Sequence, residues 1–312
     1  GQAVLKMLVM NGQFSGSRFH AAVFSPNIGN EAGFLEYDSP EIFRQYDIER
    51  YAADARSSVF YNYILSRIQT LKIIAVCTGD EDMNREVSDN LMLFLQRHHA
   101  ERICVVRCGK EGARYQESVG SPIVRSDSLS LNLLSARKAD RLAILLNSTY
   151  DASERSDWEK WMDCDSFGKL SSRASADFYP AFLRISGSSR EEVLRGDWHP
   201  DEAMQQVLGE TEHLRWCAFH YVMGYAPMTD AEFEANAAAY LRRKAEGKPA
   251  DSKIGKDRDA RKHACLIPWE ELDALSARES AVTGRKVNYK QTDINNVLAL
   301  PGLLRAEQED SV

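Results

Sequence analysis

Two hydrophobic periods alternate along the chain. GQAVLKMLVMNGQ places Val4, Leu5, Leu8 and Val9 three and four residues apart, the stripe of an amphipathic helix. No strand precedes that helix, and further sequence upstream of Gly1 is expected. FHAAVFSP (19–26) is a short apolar run closed by Ser-Pro, which predicts a buried strand and its stop. PEIFRQYD reads as helix, RYAADA as a second short strand ending near Asp54, and SVFYNYILSRIQ (58–69) as amphipathic helix. LKIIAVCTGDED (71–82) is the clearest buried parallel strand and runs into a Thr-Gly-Asp turn. Helix is expected again over 84–97 and strand over RICVVRC (102–108). Strands alternating with helices predict an α/β first domain over residues 1–147, a Rossmann-like, doubly wound parallel sheet with helices on both faces.

The pattern changes after that. Residues 148–200 contain helices opened by Ser and Asp and end in a Gly-Ser-Ser stretch, the composition of a helical connector. From 201 to 312 the period is mainly helical: 201–224, then 229–247, where Thr229 and Glu232 form a capping-box signature. A charged loop, DSKIGKDRDARKH, follows, then ACLIPWEEL, read as a short apolar strand over 263–269 with a Pro stop. SARE (276–279) is a second capping-box signature, and DINNVLALPGLL closes the domain.

Composition narrows the function classes. Hydrophobic residues make up 44% and charged residues 27% of 312 positions, the balance of a globular protein with a sizeable core. A formal charge of -7 argues against a nucleic-acid polymer as partner, which needs clustered Lys and Arg, and leaves room for a small anion held by local cations. Cys77, Cys104, Cys108, Cys164, Cys217 and Cys265 have no framework spacing, which predicts reduced thiols and a cytoplasmic setting. No apolar run is of membrane-spanning length.

Two resemblances extend this reading. AAVFSP, AADA and IIAVCTGDEDMN, in that order, resemble the NAD-binding TrkA-N (regulator-of-potassium-conductance) fold over about half of the chain. That likeness implies a dinucleotide, NAD or another adenine nucleotide, held by a Gly-rich turn of which Gly1 would be the last glycine, with Asp54, Thr78 and Gly79 on the rim. Ser25 stands where the family's ribose-binding acid is expected. ETEHLRWCAFHYVMGY (210–225), RKHACLIPWEEL and NYKQTDINNVLALPGLL are similar to the RyR domain, the repeat module of ryanodine receptors and of bacterial proteins. The elements that carry it are Glu212, Trp216, Gly224-Tyr225, His263, Cys265 to Ile267, Trp269, Leu272, Tyr289 and Asp293. Ala264 replaces a usual Pro, and an Ala-rich helical insertion over 229–247 lengthens the middle. The resemblance implies a regulatory, ligand-binding module in which Trp216 stacks on an adenine base, in a bacterial signalling or antiphage defence setting, with an upstream or separate effector.

The residues of 210–225 supply matching chemistry. At helical spacing His213, Trp216 and His220 share one face, beside Glu212, Arg215 and Phe219. A ring next to a guanidinium suits a stacked base and a paired phosphate. The expected ligand site is thus Glu212, Arg215, Trp216, His220 and Tyr225, closed by Lys262, His263 and Trp269, with Arg258 and Arg261 adding charge. Glu212 and Arg215 as a surface pair with Trp216 in the core, or His213, Cys217, His220, His263 and Cys265 as a zinc shell, stay open beside it. No nucleophile elbow, metal-hydrolase motif or phosphate-binding Walker loop occurs. The expectation is a non-enzymatic sensor of a nucleotide-derived small molecule, in a homo-oligomer. An oligomerisation or protein-interaction module, an NAD-binding regulatory subunit of a membrane effector, and an NAD-dependent enzyme are the alternatives.

Overall fold

A computed structural model of the chain describes residues 1–109, 123–127 (backbone), 140–151, 153–250 and 253–309. Mixed α/β in class and mostly helical, it divides into two compact units. The first unit comprises Gly1–Leu8, His20–Glu36 and Asp47–Ala139; the second comprises Val9–Phe19, Tyr37–Tyr46 and Asp140–Val312.

The first unit contains small parallel sheets. Strands β1 (His20–Phe24) and β2 (Asp47–Tyr51) pair in parallel, and β3 (Ile73–Val76), β4 (Cys104–Gly109) and β5 (Ile123–Asp127) form a second parallel ladder in that order. Among the described residues the two ladders are separate, so the single sheet expected over 1–147 is divided. Helix Ser58–Arg67 starts where Ser57 accepts from Phe60 N, and helix Glu81–Arg97 where Asp80 accepts from Met83 N, caps that satisfy otherwise unpaired amides. Both helices bury Phe60, Ile64, Val87, Leu91 and Leu95 with Val76 and Val105 of the sheet.

Strand β2 ends before the AADA stretch expected to complete it. There Asp54 Oδ1 accepts from Arg56 N at 2.8 Å, an Asx turn that competes with strand pairing. Helix Ile28–Asp38, which the sequence pattern did not announce, lies between the two paired strands in sequence.

The second unit is helical. Its axis is Glu202–Val222, capped by Asp201 through Met204 N at 2.8 Å, and twelve of its residues are buried. The helices over the expected connector, Asp157–Asp163, Ser166–Ile185 and Arg190–Arg195, open with Ser156, Asp165 and Ser189 as caps. They belong to this unit's interior: Phe178, Tyr179, Phe182, Val193 and Trp198 share one core with Leu208, Val297, Leu300 and Leu304. A second core joins Phe233, Ile254, Cys265, Trp269, Leu272, Leu275 and Ile294.

Segments from early in the chain complete this unit. Phe14 packs on Phe178 at 5.8 Å, Ser15 N donates to Thr211 Oγ1, and Ser39 Oγ donates to the Val222 carbonyl. Gly224 leaves the axial helix at φ 78°, where an added Cβ would stand 2.5 Å from the Asp38 carbonyl oxygen.

Three two-residue strands, β6 (Ala226–Pro227), β7 (Lys256–Asp257) and β8 (Lys262–His263), form the only sheet described in this unit, with β8 in the middle. The strand expected over 263–269 stops at His263, and Trp269–Glu271 is a 3-10 turn after Pro268. The expected box at 276–279 is also absent. Ser276 lies inside helix Leu272–Thr283, donates to the Leu272 carbonyl and accepts from Tyr289 N. A hydroxyl bonded back to residue i−4 satisfies itself within a helix and marks no start. Among the described residues no helix is long and apolar enough to cross a membrane.

Candidate functional site

The helix Glu202–Val222 brings the expected cluster together, but turns its members to different tasks. Glu212 and Arg215 lie one turn apart and are both 2% exposed. The guanidinium donates through Nε and Nη2 to the two carboxylate oxygens, each at 2.7 Å. Such a fork is satisfied by its own helix, so neither group stands at a rim. Arg215 Nη1 has no hydrogen-bond partner among the described residues.

His213, next along, donates from Nε2 to the Ile267 carbonyl at 2.8 Å and stands 3.2 Å from Asp293 through Nδ1. Burial disfavours its charge, but Cys217 and Asp293 outweigh burial and push His213 up to about 11. A charged imidazolium therefore pairs with Asp293 beside the Glu212–Arg215 fork. Cys217 Sγ reaches toward the Cys265 carbonyl at 3.8 Å.

Trp216 sits in a cage of imidazoles. His220 lies 3.8 Å from its ring centre, tilted by 39°, His263 meets it edge-on at 4.8 Å, and His213 is near-parallel to it at 6.2 Å. The face expected to carry an adenine is thus lined by side chains of the same fold. His220 Nδ1 donates to the Trp216 carbonyl at 2.9 Å, while its Nε2 is buried without a hydrogen-bond partner among the described residues. Burial, then His263, push His220 well down. Burial, then Lys256 and His213, bring His263 to about 3. Both rings are neutral at pH 7, and only His213 is charged.

The ring nitrogens of His213, His220 and His263 serve separate partners: Ile267 and Asp293, Trp216, and Cys265, whose N donates to His263 Nδ1. Among the described residues no three His, Cys, Asp or Glu groups converge on a point where a metal ion would sit. Tyr225 is buried under Phe167 at 5.2 Å, and Trp269 lies in the core with Lys290 5.4 Å from its ring centre. Lys262 reaches the Pro227 carbonyl and Glu232.

In the first unit, Asp54 is held down to about 2 by the side chain and amide of Arg56, whose guanidinium engages both carboxylate oxygens. Thr78 N and Oγ1 both donate to Asn84 Oδ1 at 2.8 Å, and Gly79 takes φ 86°. These two rim segments follow strands of different ladders, β2 and β3.

A cleft on the second unit lies elsewhere, and of the residues that line it the sequence reading named only Arg258. Its volume is about 610 Å³, and it runs between Asn236, Tyr240 and Arg243 of helix Asp230–Ala245 and the residues Pro249, Ala250, Lys253, Ile254 and Lys256 to Arg258. Among the described residues, Arg243, Lys253, Lys256 and Arg258 line it with one carboxylate, that of Asp257. That concentration of cations stands out in a chain of formal charge -7. Burial first, then Arg258 and Lys253, push Lys256 down, as expected of cations crowded on one wall.

The cleft and the histidine cage share a strand pair. Lys256 opposes His263 in the β7–β8 register and lies 5.4 Å from the Phe167 ring centre, and Phe167 in turn packs on His220. A signal for the cleft was present in the sequence: a basic last turn, Arg242 to Lys244, followed within one loop by Lys253, Lys256 and Arg258. No family model, no curated protein and no solved structure matches this chain.

Proposed function

We propose that the protein is a sensor whose second unit, RyR-like in its motifs, binds a nucleotide-derived small molecule carrying phosphate groups. The observation that carries this reading is the cleft, lined among the described residues by four cations and one carboxylate, with a volume that suits a nucleotide-sized ligand. Tyr240 supplies a ring on the same wall; Arg243 donates through Nε to the Pro249 carbonyl and Arg258 through Nη1 to Asp165 at 3.0 Å, and their other N–H groups are the donors offered to phosphate oxygens. The ligand seat is then the cleft, and Trp216 is the packed residue behind it.

Occupancy has a route inward. An anion drawn to Lys256 acts on β7, and β7 is laddered to His263, which touches Trp216 of the axial helix. The TrkA-N-like arrangement of the first unit and assembly into a homo-oligomer belong to the same reading. They rest on the motifs AAVFSP and IIAVCTGDEDMN and on the β3–β4–β5 ladder.

The test is a thermal and calorimetric panel of NAD, ADP-ribose, ATP, cyclic nucleotides, unphosphorylated nucleosides and inorganic pyrophosphate. A phosphorylated ligand at a hundredfold over its Kd stabilises by about 2.7 kcal/mol, a rise in Tm of roughly 5 to 10 °C. Lys256→Ala with Arg258→Ala should weaken binding at least tenfold while leaving the unliganded Tm within a few degrees. A flat panel at millimolar concentrations, or binding indifferent to the double substitution, overturns the proposal.

A further inference from the structure

The C-terminal ends of β3 and β4, in the three-stranded ladder, carry a pair of thiols. β3 and β4 run parallel with Val76 opposite Arg107, so the next residue on each chain, Cys77 and Cys108, are neighbours whose side chains share one face. Adjacent strands lie about 4.7 to 4.9 Å apart, inside the 4.4 to 6.8 Å span between Cα atoms that a disulfide requires. Both residues are half-buried, which gives an oxidant access that Cys217 and Cys265, buried in the second unit, lack. Burial first, and then Cys77, push the Cys108 thiol up, which is consistent with two sulfurs in contact.

The surroundings tie the pair to a turn. Asn84 donates through Nδ2 to the Cys108 carbonyl at 2.8 Å and accepts from both Thr78 N and Thr78 Oγ1, so one amide holds Cys108 itself and the residue just after Cys77. The backbone on either side of the two sulfurs is thereby held in register.

We propose that Cys77 and Cys108 are an oxidation site that closes to a reversible disulfide with a hydroperoxide as oxidant. The Cys77 sulfur attacks one peroxide oxygen, the O–O bond breaks, and the thiol proton leaves with the second oxygen as water, giving a sulfenic acid. The Cys108 sulfur then forms the S–S bond and displaces the hydroxyl group, which departs as a second water with the Cys108 proton. Two thiols are oxidised and one peroxide is reduced to two waters, and a dithiol reverses the change.

The experiment uses the full chain, reduced, treated with hydrogen peroxide, alkylated with iodoacetamide, digested and read by mass spectrometry. The expected result is a Cys77–Cys108 linked peptide lacking two hydrogens, released by dithiothreitol, with Cys104 and Cys164 still alkylated. Cys108→Ser should lose the link and leave Cys77 as a sulfenic acid trapped by dimedone. Amide exchange across 73–84 should slow several-fold in the oxidised native protein. Full alkylation of both cysteines after peroxide, pairing of Cys77 with another cysteine, or oxidation straight to sulfinic acid without a link would each overturn the proposal.

Discussion

Glu212→Gln is the perturbation that bears most directly on how the axial helix is built. The substitution keeps the shape of the side chain and removes its charge, leaving the Arg215 guanidinium 2% exposed and without its two 2.7 Å partners of opposite charge. Asp293, which also bears on Arg215, is engaged by His213 at 3.2 Å. Breaking a buried pair in this way costs about 3 to 5 kcal/mol, because one uncompensated charge remains. That is a large share of the roughly 5 to 15 kcal/mol by which a domain is stable. At about 2 to 4 °C per kcal/mol for a unit of this size, Tm should fall by roughly 6 to 20 °C.

The assay is urea and thermal unfolding followed by tryptophan fluorescence. All five tryptophans, Trp158, Trp161, Trp198, Trp216 and Trp269, lie in the second unit, so the signal reports that unit alone. The double substitution Glu212→Leu with Arg215→Met removes both charges and should recover most of the loss, since apolar replacement of a whole buried pair is near neutral. A single variant within about 1 kcal/mol of the parent, or a double variant as unstable as the single, would show that the fork is not a closed buried pair.

The histidine cage predicts opposite pH dependences. His263, held at about 3, stabilises fully above its unfolded value near 6.5 and loses that contribution as pH falls toward 3; His263→Gln should flatten the acid limb of urea midpoints measured from pH 3 to 10. His213, raised to about 11, stabilises fully below about 6.5 and loses that contribution as pH rises toward 11; Asp293→Asn should therefore destabilise near neutrality and shallow the alkaline limb. Gly209→Ala puts a Cβ 2.5 Å from Ile294 Cγ1 and 3.1 Å from the Trp269 ring, so overpacking of about 1 to 3 kcal/mol should outweigh the roughly 1 kcal/mol gained in helix propensity, read as a lower Tm. Thr229→Ala removes the cap whose oxygen accepts from Glu232 N and should lower the urea midpoint by about 1 kcal/mol equivalent, with Thr229→Ser restoring it.

Local signals in the sequence translated well where local chemistry decides. The opening helix, β1, β3, β4, the axial helix and the Thr229–Glu232 box all follow from spacing and caps. Failures occurred where distant residues decide. Helix Ile28–Asp38 carries glycines at 29 and 33 and buries only Ala32 and Leu35, too few apolar positions for a periodic signal. Ser276 has the spacing of a cap yet is consumed by Leu272 and Tyr289. An i,i+3 Glu–Arg pair looks the same in sequence whether it faces water or protein. At 212 and 215 the burial is imposed by chain more than thirty residues away in sequence, including the helices that bring Tyr179 and Asp293 to the pair. Crowding of chemical groups in 210–225 was legible, but its use was not: the fork and the imidazoles face inward, and the cations of the cleft come from the last turn of helix Asp230–Ala245 and the chain after it.

The interleaving of the two units has a consequence for synthesis. Ser15 must find Thr211 across 196 residues, and Ser39 must find Val222 across 183. At roughly 5 to 20 residues per second on a ribosome, Ser15 waits about 10 to 40 s before its partner is made. Glu41–Gln45 is far too short to hold its own helix during that interval. Phe14 and Ile42 then have no core to enter until the end of the chain approaches. The second unit is therefore a late folder: a ribosome-stalled chain ending near residue 150 should leave the segments around Phe14 and Ile42 open to protease, and release of the full chain should close them together.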